Sequence, residues 1–157
     1  RRRHTRYGTV TGVQTCALPI CVGSYTKYTT DSETAAAGAI SFTGLGRLGT
    51  LVSISTDLDA WVVFYPTSAA RAADAGRPYA VDPDPGSGVL AEAYVTSSSP
   101  LEFSPAAVYF NSDTPLQDTI YAAVRDQSGI EVNATITVGA YTFTEFTGFS
   151  GGTYGSG

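Results

Sequence analysis

From Ala39 onward the chain consists of short runs of β-branched and aromatic residues, each soon broken by Gly, Pro, Asp or Ser. No stretch sustains the period of about 3.6 residues that a long helix needs, whereas several alternate with the period of two that marks a half-buried strand. The last run is the clearest, with Val132, Ala134, Ile136, Val138 and Ala140 on one face and Asn133, Thr135 and Thr137 on the other. This patterning predicts an all-β fold with strands near 39–43, 48–56, 60–65, 89–95, 101–103, 108–110, 119–125 and 130–146. About seven or eight antiparallel strands at this spacing make a β-sandwich, connected either as a jelly roll or in immunoglobulin-like order. Strict alternation puts Leu51, Ser53 and Ser55 opposite Val52 and Ile54. Trp61, Val63 and Tyr65 share one face and Val62 and Phe64 the other, so this strand is apolar on both sides and expected to be central, with Trp61 in the core.

The first twenty residues, RRRHTRYGTVTGVQTCALPI, differ from everything after them: four of the nine basic residues, the single His and Cys16 all lie there. Thr11, Gly12, Gln14 and Thr15 interrupt the apolar part, which argues against a secretory signal. GTVTGVQTCALPI resembles the conceptual translation of a short-read sequencing adapter, and RRRHTR its upstream part. That resemblance implies that residues 1–21, with Cys21 at the junction, are an artefact expected to be disordered, that the reading frame is cut at its start, and that neither cysteine reports on the redox compartment.

Without that segment the chemistry narrows. From Val22 onward five basic residues face fourteen acidic ones, a formal charge of −9, which disfavours nucleic acid as a partner. The same stretch has neither Cys nor His, so Ser/His/Asp and Cys/His mechanisms and zinc sites have no candidates there. Gly44, Gly46 and Gly49 lack the Lys and helix of a phosphate loop and read as turn formers. Every apolar run is interrupted well short of the roughly 18 to 20 residues of a membrane helix, so no membrane partner is expected.

Residues 22–38 lack sustained periodicity and read as an extended arm or linker, 39–147 as the sandwich, and 148–157 as a Gly/Ser-rich tail. Residues 66–88 form a long crossover in which the stretch 67–75 suits one or two helical turns ending at Gly76.

The remaining candidates are weak. Asp57 with Asp59, and Asp82 with Asp84, are the closest carboxylate pairs for glycoside hydrolysis, but their turn settings suit solvated loop acids. Asp82 and Asp84 with loop carbonyls offer oxygen ligands to a cation but lack a full calcium-loop signature. Arg71 and Arg77 lie near Asp74, Asp82 and Asp84 and can clamp the crossover or present a patch to a neighbouring subunit. Tyr79, Tyr94, Tyr109 and Tyr121 are candidates for a carbohydrate-stacking surface, although Tyr is ordinary in strands. No residue is therefore assigned as catalytic, cofactor-binding or metal-binding, no cofactor is expected, and the chain reads as a non-enzyme.

Two blocks carry a family resemblance. The first is AWVVFYPTSAARAADAGRPYAVDPDPGSGVLAEAYV, with Arg71, Asp74, Arg77, Asp82, Pro83, Pro85, Gly86, Ser87 and Gly88 in its loop. The second is FNSDTPLQDTIYAAVRDQSG, with Phe110, Asn111, Pro115, Ile120, Tyr121, Val124, Arg125 and Gly129. Together, across roughly 60–129, they resemble a β-sandwich domain of tailed-phage virion proteins of tail, neck or fibre type. The resemblance implies a structural component located in a virion, associating with itself or with neighbouring virion subunits. The alternative is an extracellular or virion-borne carbohydrate-binding or adhesion module whose partner is a host surface glycan.

Overall fold

The strands pair from the outside of the sequence inward. In the computed structural model, which describes residues 25–144, these are β1 (Tyr25–Thr34), β2 (Ala39–Phe42), β3 (Leu48–Thr56), β4 (Ala60–Tyr65), β5 (Ala91–Val95), β6 (Leu101–Phe110), β7 (Ile120–Arg125) and β8 (Thr135–Thr144), with one short helix, α1 (Ser68–Ala73). β1 pairs with β8, β2 with β7, β3 with β6 and β4 with β5, all antiparallel. The chain is thus one long hairpin turning between β4 and β5. Further pairing of β3 with β8 and of β4 with β7 gives two four-stranded sheets, ordered β1-β8-β3-β6 and β2-β7-β4-β5. This is the double-sheet arrangement of a jelly roll, not immunoglobulin-like order.

Period-two alternation fills the space between the sheets. Ile136, Val138 and Ala140 of β8 meet Ile40 and Phe42 of β2, Val62 and Phe64 of β4, and Ile120, Ala122 and Val124 of β7, all buried. The Phe42 and Phe64 rings lie 6.2 Å apart. Each such large side chain contributes roughly 1.5–3 kcal/mol by leaving water. β4 is buried on both sides, as expected of a central strand: Trp61, Val63 and Tyr65 form a second cluster with Ala123 on the outer side of their sheet, under the crossover. Thr67 caps α1, its hydroxyl accepting from the Ala70 amide, and Asp74 ends the helix.

Four sequence expectations need correction. The arm expected over 22–38 is, from Tyr25 to Thr34, a full edge strand in unbroken register with β8, so the folded unit begins before residue 39. Its core-side positions are polar (Lys27, Thr29, Asp31 and Glu33), which hides the strand from a hydrophobicity reading and suits an edge that must not recruit other strands. Asp31 fastens it by accepting from the Gly44 amide at 2.8 Å. In β3 a register shift between Leu51 and Ser53 breaks the alternation, so Leu51 and Ile54 both face the core. The two strands expected at 101–103 and 108–110 are one, β6, an edge strand whose Pro105 lies in the irregular stretch opposite that shift, where its missing N–H breaks no ladder bond. The expected strands at 89–95 and 130–146 begin later, at Ala91 and Thr135. The expectations for residues 1–21 and 148–157, and for the parts of the expected arm and sandwich at 22–24 and 145–147, lie outside the described residues.

Gly49 sits where β3 presses against β8, and a Cβ there would run into the Tyr141 carbonyl and, at 2.5 Å, the Tyr109 hydroxyl. Gly76 has nothing within 4 Å. Gly49→Ala is expected to destabilise the fold by about 2 kcal/mol, as overpacking against fixed backbone does, and Gly76→Ala to stay within about 0.5 kcal/mol of wild type. Urea unfolding of the two variants checks this contrast.

Candidate functional site

The two sheets turn very different outer faces to their surroundings. Over β2-β7-β4-β5 the crossover forms a lid, held by a buried ionic cluster. Trp61 and Tyr65 project outward from β4, and Arg125, paired with Trp61 across the ladder, projects from β7. Asp74, at the end of α1, receives the Tyr65 hydroxyl on Oδ2 at 2.6 Å and Arg77 Nε on Oδ1 at 2.8 Å. Arg77 goes on to donate to Glu92 Oε2 of β5 at 2.7 Å and to the Val81 carbonyl at 2.8 Å. The guanidiniums of Arg77 and Arg125 lie 4.8 and 5.2 Å from the centre of the Trp61 ring. Arg125, only 2% exposed, brings Nη1 to 3.7 Å from Asp74 Oδ2 without a hydrogen bond.

The electrostatics of this cluster are those of a clamp. Burial opposes ionisation of Asp74, but the hydrogen bonds from Arg77 and Tyr65 and the two guanidinium charges outweigh it and hold the carboxyl below its ordinary value. Burial and the Asp74 hydrogen bond push the Tyr65 phenol well above its ordinary range. A carboxylate fixed in its ionised form and a phenol fixed in its neutral form do not exchange protons near neutral pH.

The carboxylates singled out in the sequence are dispersed. Asp57 accepts from the Thr135 amide at 2.7 Å, and Asp59 accepts from the Ser97 amide and hydroxyl, which lower its pKa although it is exposed. Asp82 and Asp84 line a hollow of about 350 Å³ with Asp74, Arg77 and Ser87. No group of three His, Cys, Asp or Glu among the described residues is arranged to hold a metal ion. Arg77 is the clamp that the sequence offered, while Arg71 turns away to donate to the Ile40 carbonyl and stack on Tyr121. The four tyrosines separate: Tyr109 is fully buried and donates to the Leu45 carbonyl, Tyr121 donates to Asp113, and only Tyr79 and Tyr94 stay together, beside Trp61. Asn111 knots the 111–119 loop by accepting from the Asp113 and Gln117 amides and donating to the Thr119 carbonyl.

Among the described residues, the outer face of β1-β8-β3-β6 has no such lid. Ladder register lines up Tyr28, Tyr141, Thr50 and Val108 in one cross-strand row and Leu48 with Phe110 in the next, with Phe143 two residues beyond Tyr141. Tyr28, Leu48, Val108, Phe110, Tyr141 and Phe143 are all exposed, Val108 by 58%. The Tyr28 and Tyr141 rings meet edge to face at 5.4 Å. Toward the other end the face is hydroxylic, with Ser32 bonded to Thr137 and Thr34 to Thr135. Glu102 is the one charged residue among the described strand positions on this face. Sequence reading missed this surface because Tyr28 and Tyr141 are far apart in the chain; the signal was the regular placement of Tyr141 and Phe143 opposite the core positions of β8. It also gave Arg125 only as a position in the second resembling block and missed its place beside Asp74 and Trp61.

Comparison with known proteins found no matching family model, curated protein or solved structure.

Removing the Asp74 charge tests the clamp. Because folding lowers this carboxyl's pKa, its contribution is complete above the unfolded value of about 3.9 and drains away as pH falls through the lower folded value. Asp74→Asn is expected to lose about 3 kcal/mol of unfolding free energy at pH 7, the scale of breaking a buried pair, with the gap to wild type narrowing below about pH 4. Urea titrations at several pH values check both the magnitude and its direction.

Proposed function

We propose that this domain is a non-enzymatic structural module of a virion, of tail, neck or fibre type, that works by associating with copies of itself or with neighbouring subunits. The observation that carries the reading is the face of β1-β8-β3-β6, which no other described element covers and which is almost uncharged, with six large apolar side chains exposed at one end. Contiguous apolar patches of this kind mark protein contact sites on soluble domains. In a domain so rich in acids, a face with a single carboxylate approaches another copy without like-charge repulsion. The jelly-roll order supports the assignment, since viral capsid and lectin domains are built on it, although a fold alone does not decide a function. The resemblance of the crossover and of the 110–129 block to tailed-phage virion domains points the same way. The described acids Asp31, Asp57, Asp59, Asp74 and Asp113 act as fasteners of loops and strands, a use that suits a scaffold.

Size-exclusion chromatography with light scattering tests the reading. The protein is expected to run as a stable trimer or larger assembly at micromolar concentration. Phe110→Lys with Tyr141→Lys, two exposed positions, should return it to a folded monomer. A wild-type protein that stays monomeric throughout would contradict the proposal.

A further inference from the structure

The aromatic side chains that remain together after folding line a second hollow, on the sheet opposite the association face. It has a volume of about 320 Å³ and is formed by Tyr79, Ala80 and Asp82 of the crossover, Glu92, Ala93 and Tyr94 of β5, and Trp61 at its base. Ligand sites begin at roughly 300 Å³, so the hollow has room for one small ring. The Tyr79 and Tyr94 rings meet at 65° with centroids 5.9 Å apart, and Tyr79 meets Trp61 at 81° and 5.4 Å, making an aromatic corner.

This corner is held before any ligand arrives. Trp61 is 1% exposed and has two guanidiniums over its ring, and Arg77 fixes Glu92 at the rim. In contrast to the clamp beside it, the rim has hydrogen-bonding groups left over: the Tyr79 and Tyr94 hydroxyls and the Asp82 carboxylate bond to no other described residue, and Tyr79 is 40% exposed. A ligand here therefore needs an apolar face for a ring and several donors for carboxylate and phenol oxygens. Asp82 and Glu92 in the lining, with Asp84 in the adjoining hollow and Arg77 already bonded to Asp74 and Glu92, disfavour an anionic ligand. A quaternary ammonium is disfavoured too, because Arg77 and Arg125 already occupy the Trp61 ring.

We infer that the Trp61–Tyr79–Tyr94 hollow is a binding subsite for a neutral pyranose, whose C–H face packs on the tyrosines while its hydroxyls donate to Asp82 and Glu92. The inference is independent of the association reading, since the two surfaces lie on opposite sheets.

Saturation-transfer NMR on the full chain tests it with methyl glucoside, galactoside, mannoside and N-acetylglucosaminide at millimolar concentration, and with choline as a cation probe. At least one pyranoside is expected to receive saturation, with choline receiving none. Tyr79→Ala is expected to weaken that binding about fivefold or more, the scale of losing one aromatic contact. Asp82→Ala, at an exposed position, should weaken it while leaving the thermal melt unchanged, and Phe110→Lys on the opposite sheet should leave it intact. No saturation of any pyranoside, binding of choline alone, or pyranoside binding indifferent to both Tyr79→Ala and Asp82→Ala would overturn the assignment.

Discussion

Six consecutive residues with no exposed side chain, Ala60–Tyr65, impose the requirement from which the rest of the architecture follows. A strand apolar on both faces must be covered on both. One cover is the opposing sheet, which meets Val62 and Phe64. The other has to come from elsewhere, and the chain supplies it immediately after β4 as α1 and the crossover, laid over Trp61, Val63 and Tyr65. Such a lid has too few apolar residues of its own to hold by burial alone, with no residue of α1 buried, so it is fastened by Asp74, which collects the Tyr65 hydroxyl from below and Arg77 from the side. Directional, charge-assisted bonds replace the missing apolar area.

The same division of labour explains why the two outer faces differ. Where the chain covers itself, charges are drawn inward and paired: Arg77 with Asp74 and Glu92, and Arg125 beneath them. Where no described element covers the sheet, charge is nearly excluded and aromatic residues stand exposed, Tyr28 and Tyr141 in contact across the β1–β8 ladder. A lone domain gains nothing in stability from that exposure, whereas an assembly does, because burying the face on association brings the apolar gain without the desolvation that charged side chains would demand.

Much of this was legible along the chain, and what was not has specific causes. The all-β class, the central β4, the buried Trp61 and the inward face of β8 follow from local periodicity, and the crossover's Arg71 and Arg77 near Asp74, Asp82 and Asp84 suggested a clamp without fixing which arginine meets which acid. β1 escaped because its core-side positions Lys27, Thr29, Asp31 and Glu33 are polar; its strand state is imposed by ten backbone pairings with β8, more than a hundred residues away. The alternation in β3 failed at one inserted residue, and Pro105 disguised the continuity of β6 although an edge strand tolerates it. The jelly-roll order itself depends on pairings between the two halves of the chain, which strand count and spacing do not encode. Of the four tyrosines considered together, Tyr109 faces the core because its position in β6 shares the parity of Ala107 and Leu101, and that parity emerges only once the two short runs are recognised as one strand.

The central claim is that the open sheet is a contact face while the lidded sheet remains accessible to solvent. Hydroxyl-radical footprinting of the assembled protein against the same protein at high dilution measures this side chain by side chain. The account predicts protection of Tyr28, Phe110, Tyr141 and Phe143 on assembly, with unchanged labelling of Tyr79 and Val81. Equal labelling of the first group in both states, or protection confined to the crossover, would contradict it.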